Sequence, residues 1–179
     1  SIFIDVNRDK SYTTGRDYIS PQLGFTVAPS NRSRDFYVST GAGAVLEFKE
    51  LSEEWTDGQS LELTGGNWGL SIDRDGTQLV AGTHDGFIVV WNKNGNGEWI
   101  ESQRIPAHSA HVMNLSIAND GYRMASTSFN GEVKLWKKQF DNVWIEEQSL
   151  TPHQGACFSA NFDPSGVSLV TAGEDGFIK

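Results

Sequence analysis

One interval runs through this sequence. Gly76, Gly121 and Gly166 are spaced by 45 residues, as are Gly86, Gly131 and Gly176, and the same interval separates Trp91 from Trp136 and Trp99 from Trp144. The stretches "WGLSIDRDGTQLVAGTHDGFIVVW", "MNLSIANDGYRMASTSFNGEVKLW" and "FSANFDPSGVSLVTAGEDGFIK" align without a gap. A constant interval of this length marks a structural unit that recurs and that buries its apolar residues against its neighbours rather than alone.

Each unit reads as a short apolar strand, a tight turn, a second strand, a second turn and a third strand. The turns carry Asp-Gly, Asn-Gly or Ser-Gly, residues that accept the positive φ a tight hairpin turn requires. A fourth strand follows a variable loop: "EWIESQRI" and "VWIEEQSL" alternate apolar and polar residues, as a half-exposed outer strand does. Four antiparallel strands in roughly 40 to 45 residues make one blade of a β-propeller. The predicted fold is therefore all-β, a propeller of four-stranded antiparallel blades with about four units, the first and last incomplete. The stretches run approximately over 1–22 (stunted), 23–66, 67–111, 112–155 and 156–179 (truncated), three whole units and two partial ones, forming one domain over 1–179 or part of one. In the looser second unit, Phe48 stands 43 residues before Trp91 and Trp55 stands 44 before Trp99.

Bulk properties narrow the function classes. A chain of 179 residues suits one domain with a sizeable core. Its net charge of -9 repels phosphate backbones and anionic lipid, so neither nucleic acid nor membrane is an expected partner. No apolar run approaches the roughly 18 to 20 residues that span a bilayer. The single cysteine, Cys157, allows no internal disulfide and no cysteine zinc cluster, which fits a reducing, cytoplasmic setting.

With the repeat laid out, the units resemble the WD-repeat family of β-propellers, most clearly over residues 67 to 179. The family's blade carries a His before the first strand, a Ser or Thr on the second, an Asp in the second turn and a Trp on the third, joined by hydrogen bonds. The resemblance assigns these roles to His108, Ser128, Asn130 and Trp136 in one blade. In the preceding blade it assigns them to Thr83, Asp85 and Trp91, with no His in "LTGGN". In the last it gives His153 and Asp175, with Gly173 where the hydroxyl belongs. The Trp-Asp pair itself is absent, since Asn92 follows Trp91 and Lys137 follows Trp136. Family members have about seven blades, so the resemblance implies that these units are completed by further blades or by a second copy.

Other motifs resolve into turns and strands. "SIDRDGT" approaches a sialidase-type Asp box, but Gly76 is one place late, and Asp73 and Asp75 lack the further ligands of a calcium loop. His108 and His153 recur at the interval and belong in neighbouring blades rather than around one ion, whereas His84 and His111 have no repeated counterpart and read as surface positions. The acid pairs Glu53 with Glu54 and Glu146 with Glu147 point to opposite faces of a strand and cannot share a substrate. Cys157, in an apolar strand, reads as a buried thiol. No helix follows Gly41, Gly43 or "NKNGNGEW" to build a phosphate loop. The glycosylation patterns at Asn31 and Asn114 are idle in a reducing compartment.

No catalytic constellation, metal site or cofactor site emerges, and the expected function is a non-enzymatic platform for protein partners. Trp68, Met113 and Phe158 lie at the start of the innermost strands, and His84, Phe129 and Glu174 just precede the second-turn Asp or Asn. By resemblance both sets border the narrow face of the ring, and aromatic and Met side chains there match the composition of protein-binding hot spots. The alternative is a carbohydrate-binding propeller in which exposed Trp55, Trp99 and Trp144 stack on sugar rings. A propeller hydrolase comes third, without an assignable set of carboxylates.

Overall fold

The computed structural model describes residues 27–29, 35–40, 43–51 and 54–179. The stunted first unit over 1–22, Asn31, Gly41 and Glu53 lie outside the described residues. Among those described there is no helix, and the strands fall into four antiparallel sheets. The first contains β1 (Val27–Pro29), β2 (Phe36–Thr40), β3 (Ala44–Leu51) and β4 (Glu54–Glu62). The second contains β5 (Asn67–Ile72), β6 (Gln78–Thr83), β7 (Phe87–Lys93) and β8 (Trp99–Pro106). The third contains β9 (Val112–Ile117), β10 (Arg123–Ser128), β11 (Val133–Lys138) and β12 (Trp144–Leu150). The fourth contains β13 (Cys157–Phe162) and β14 (Leu169–Gly173), with Ile178 bridging to Ala172 where a third strand begins. Within each sheet the strands pair in chain order.

The repeat is geometric as well as sequential. Trp91 lies opposite Leu79 and Trp136 opposite Met124, and Phe48 holds the same register place opposite Phe36 in the first sheet. The innermost strands β5, β9 and β13 lie side by side, so the sheets stack face to face around them. The apolar cores accordingly sit between sheets. One joins Tyr37, Val45 and Leu61 of the first sheet to Leu70, Leu79, Trp91 and Trp99 of the second; the other joins Val80, Ile88, Val90 and Ile105 of the second to Val112, Leu115, Met124 and Trp144 of the third. A single sheet could not keep this surface dry, which is why the unit is found only in series.

Turn chemistry sets the junctions. Gly43, Gly86 and Gly131 have φ of 91°, 88° and 85°, and a Cβ on any of them would run into a carbonyl of the following inter-blade connection, Gly65, His108 or Gly155 respectively. Glycine is thus required twice at each of these turns, for its left-handed backbone and for the close approach. That approach is productive: the Gly43 carbonyl accepts from Leu63 N–H at 2.7 Å, and the Gly86 carbonyl accepts from Ala107 and His108 N–H at 3.0 and 2.9 Å. Asp73 uses both carboxylate oxygens on its own turn, taking Thr77 N–H, Gln78 N–H and the Thr77 hydroxyl at 2.8, 3.0 and 2.9 Å. Asn114 lies in β9, and its side-chain oxygen accepts Ala160 N–H from the next sheet at 3.1 Å.

Candidate functional site

The connections between sheets and the turns between second and third strands share one end of every blade, because the strands run up and down in sequence order. At this end the first strands each carry a bulge. The register slips at Trp68, at Met113 and at Phe158, three equivalent positions in β5, β9 and β13. A bulge inserts one extra residue and re-aims its side chain out of the ladder. Trp68 and Phe158 are exposed, whereas Met113 is buried between them.

The turn residues His84, Phe129 and Glu174 are held by one recurring backbone bond: their N–H groups donate to the carbonyls of Gly66, His111 and Ala156 at 2.8, 3.0 and 2.8 Å. His111 joins the first two. Its ring stacks on His84 with centroids 3.4 Å apart and 25° between planes, and it lies 5.7 Å from the Phe129 ring. Its Nδ1 hydrogen-bonds the His84 carbonyl oxygen, so that nitrogen carries the proton. His84, His111 and Phe129 thus form one aromatic row across the second and third sheets. The sequence offered no signal for this, since His111 has no repeated counterpart. Glu174 is turned onto its own sheet, where a carboxylate oxygen accepts Ala156 N–H at 3.0 Å.

Behind this rim lie buried polar chains. His108 Nδ1 is 2.7 Å from Glu132, His108 Nε2 is 2.7 Å from the Ser126 hydroxyl, and the Trp136 indole N–H donates to that same hydroxyl at 2.9 Å. A neutral imidazole protonated at Nδ1 satisfies every member: it donates to Glu132 and accepts from Ser126, which accepts from Trp136. Burial holds the His108 pKa below its ordinary value, against the pull of the Glu132 hydrogen bond and charge. Burial alone would raise the Glu132 pKa, but hydrogen bonds from His108 and Ser149 outweigh it and hold it low. The fourth sheet repeats the chain, with His153 Nδ1 2.8 Å from Asp175 and Nε2 2.9 Å from the Thr171 hydroxyl. Desolvation opposes ionisation of Asp175, yet donors from His153, Phe177 N–H and Gln154 N–H bring its pKa down to about 2.

These chains correct several assigned roles. The hydroxyl is Ser126, not Ser128, and the carboxylate is Glu132, not Asn130. Ser128 and Asn130 shape the turn, with Asn130 donating to Ser109 at 3.1 Å. In the last unit Thr171 supplies the hydroxyl that Gly173 lacks. In the second sheet Thr83 bonds Asp85 within its own turn, and among the described residues no hydrogen bond carries either to Trp91. At the repeat positions of His108, Ser126 and Glu132 that sheet carries Leu63, Ala81 and Phe87, so its polar chain is replaced as a set. Leu63 packs on the core that contains Ala81 and Trp91.

The serine, histidine and carboxylate of the third sheet have the distances of a nucleophilic triad, but not its access. Ser126 is fully buried, and its oxygen is already committed to His108 and Trp136, leaving no space for an acyl group. The Cys157 thiol is buried, and desolvation pushes its pKa up, away from the reactive thiolate.

The sugar-stacking platform is also overturned. Trp99 and Trp144 are among the most completely buried side chains. The Trp99 indole N–H donates to Glu47 in the first sheet at 3.2 Å, and that of Trp144 donates to Gln78 in the second at 2.9 Å. Lys93 and Lys138 close the other side, 4.8 and 5.1 Å from the ring centroids. Each indole therefore covers the neighbouring blade. The side chain of Trp55 lies outside the described residues.

Antiparallel sheets of one repeating design, stacked through their faces around adjacent inner strands, define a β-propeller. The profile of the WD domain, G-beta repeat family matches residues 62–92, 99–137 and 144–179, more than half of the chain, and the chain belongs to that family. A comparison with curated proteins finds no match. Members of this family serve in general as platforms for protein interaction. Among the described residues no helix is long and apolar enough to cross a membrane.

Proposed function

We propose that this chain is a non-enzymatic scaffold that docks protein partners on the narrow face, through Trp68, His84, Phe129, Phe158 and Glu174, with Met113 supporting from beneath. The observation that carries this reading is the aromatic row His84–His111–Phe129, flanked by two bulges that turn Trp68 and Phe158 outward. Rigid aromatic side chains with few rotatable bonds anchor interfaces at low entropic cost, and the turns that carry His84, Phe129 and Glu174 are each pinned by a backbone hydrogen bond. The partner is a protein rather than nucleic acid or lipid, in keeping with a net charge of -9. A reducing, cytoplasmic setting belongs to the same reading and rests on the lone Cys157. Further blades or a second copy complete the ring.

The test uses the opposite end of the blades as control. Phe140, fully exposed at the tip of the β11–β12 hairpin, marks that end. Quantitative affinity enrichment with the wild-type chain, Phe129→Ala and Phe140→Ala is expected to give partners that are lost from Phe129→Ala and retained by Phe140→Ala. Partners retained equally by Phe129→Ala and Trp68→Ala, with both variants folded, would refute the reading.

A further inference from the structure

Asparagine is followed by glycine at Asn94-Gly95, Asn96-Gly97 and Asn130-Gly131. Such an asparagine is open to attack on its side-chain amide by the next backbone nitrogen, because glycine has no Cβ to hinder the approach. The three dipeptides are identical in sequence, and the fold separates them. Asn130 is held at both ends of its amide, donating to Ser109 and accepting Glu132 N–H, each at 3.1 Å, while Gly131 N–H is tied to the Ser128 carbonyl at 3.0 Å and Gly131 is wedged against the Gly155 carbonyl. Asn94 is held more firmly: its Oδ1 accepts Asn96 N–H and Glu98 N–H, and its Nδ2 donates to the Glu98 carboxylate, each at 2.9 Å. Asn96 is exposed at the tip of the loop between β7 and β8, and among the described residues no hydrogen bond involves its side chain. Gly97 has a φ of 82° with open space where a Cβ would lie, and its N–H has one bond to release, to the Asn94 carbonyl at 3.0 Å. A bond at a hairpin tip opens locally, without the rest of the sheet.

The loop accepts one product of that attack and not the other. One interval further on, the hairpin over 139–143 is closed in the same way, with Gln139 N–H donating to the Val143 carbonyl at 2.9 Å as Asn94 N–H donates to the Glu98 carbonyl at 2.8 Å, and it carries Asp141 at the place of Asn96. The Asp141 carboxylate accepts Val143 N–H at 3.2 Å. An aspartate at position 96 therefore fits. An isoaspartate runs the backbone through its own side-chain carbon and lengthens it by a methylene group, just ahead of a fixed point. Gln59 of β4 clamps Trp99 from the preceding sheet, its Nε2 donating to the Trp99 carbonyl and its Oε1 accepting Trp99 N–H, both at 2.8 Å. Gln103 of β8 clamps Trp144 in the same way, again at 2.8 Å twice.

We propose that Asn96 is a site of spontaneous deamidation in the folded chain, and that its isoaspartyl product loosens the seam between the first and second sheets at Trp99. The Gly97 nitrogen attacks Asn96 Cγ and gives its proton to water. The Cγ–Nδ2 bond breaks, and the nitrogen takes up a proton and leaves as ammonia. Water then opens the cyclic imide at one carbonyl or the other, leaving aspartate or isoaspartate and one further negative charge on the chain. The step needs no oxidant, metal or second protein, and it is independent of the aromatic rim, which lies at the opposite end of the blades.

The test is incubation of the full 179-residue chain in heavy-oxygen water at neutral pH, native and unfolded in guanidinium chloride, followed by peptide mapping with mass spectrometry that distinguishes aspartate from isoaspartate. In the native chain Asn96 is expected to convert at least about tenfold faster than Asn94 or Asn130, with one heavy oxygen incorporated, because the other two must first break their side-chain hydrogen bonds; in the unfolded chain the three convert at rates within about twofold. The acidic fraction of the aged native protein, enriched in isoaspartate, is expected to unfold at lower urea concentration than Asn96→Asp, whose midpoint stays with that of wild type. Conversion of Asn94 or Asn130 as fast as Asn96 in the native chain overturns the proposal, as does an Asn96 that stays intact in the native chain while the unfolded chain converts it. An acidic fraction with the same midpoint as Asn96→Asp overturns the loosening of the seam.

Discussion

Replacing Gln103 by alanine isolates the clamp between sheets. The substitution removes two hydrogen bonds of 2.8 Å and leaves the Trp144 N–H and carbonyl in a partly buried seam. A net hydrogen bond contributes about 1 kcal/mol, and the seam admits some water to the orphaned groups, so the expected loss is about 2 kcal/mol. For a chain of this size that corresponds to a fall in melting temperature of about 4 to 8 °C. Gln148→Ala is the matched control: the same residue type at the same repeat position, exposed, and with no hydrogen bond to its amide among the described residues. Its expected effect is within about 0.5 kcal/mol of wild type. Urea unfolding followed by tryptophan fluorescence, with reversibility checked first, gives both values on one scale. Equal midpoints for the two variants, or a Gln103→Ala midpoint indistinguishable from wild type, would refute the claim that the amide couples the sheets.

Three further outcomes follow from the buried groups. Ser126→Ala strips His108 Nε2 and the Trp136 indole of their shared partner and should cost about 2 to 4 kcal/mol, whereas the triple variant His108→Leu, Ser126→Ala, Glu132→Phe copies the apolar set of the second sheet and should recover much of that loss by the same urea assay. Stability should fall on acidification in two stages. Because the folded-state pKa of His108 is depressed, the unfolded chain takes up its proton first, and stability drops as pH falls below about 6.5; the depressed carboxyls of Glu132 and Asp175 add a second decline below about 4.5. Urea midpoints from pH 8 to 4 measure both stages, and the triple variant should lack the first. Glu47→Ala should destabilise by about 3 kcal/mol, since this buried carboxylate takes hydrogen bonds from Tyr37, Trp99 and Gln59 N–H and lies within 3.5 Å of Lys49 and Lys93, and calorimetry of the variant checks it.

The interval of 45 made the blade, its turns and the register of Trp91 and Trp136 legible, because a tight turn leaves a glycine signature and a repeat multiplies it. The hydroxyl was misassigned for a physical reason. Ser126 and Ser128 are two apart on one strand and point to the same face, so alternation cannot separate them. A signal was present: Ser126 and Thr171 keep a hydroxyl one interval apart in both units that carry the histidine, while Leu63 and Ala81 replace histidine and hydroxyl together. Glu132 escaped notice because Asn130 occupies the turn position where a carboxylate is expected. Trp99 and Trp144 were open to two readings because an outer strand alternates one apolar face with one wet face whether the apolar face meets a ligand or the next sheet. The stacking of His111 on His84 joins residues far apart in sequence that share no repeat position, and only the folded chain brings them together.

The claim beneath all of this is that the outer-strand tryptophans Trp99 and Trp144 are each sealed against the preceding sheet. Hydrogen exchange of the six indole N–H resonances by NMR tests it most directly. The account predicts that Trp99, Trp136 and Trp144 exchange slowly, at rates approaching global unfolding, because their donors are buried and hydrogen-bonded. Exchange of Trp99 and Trp144 at the rate of a free indole would contradict it.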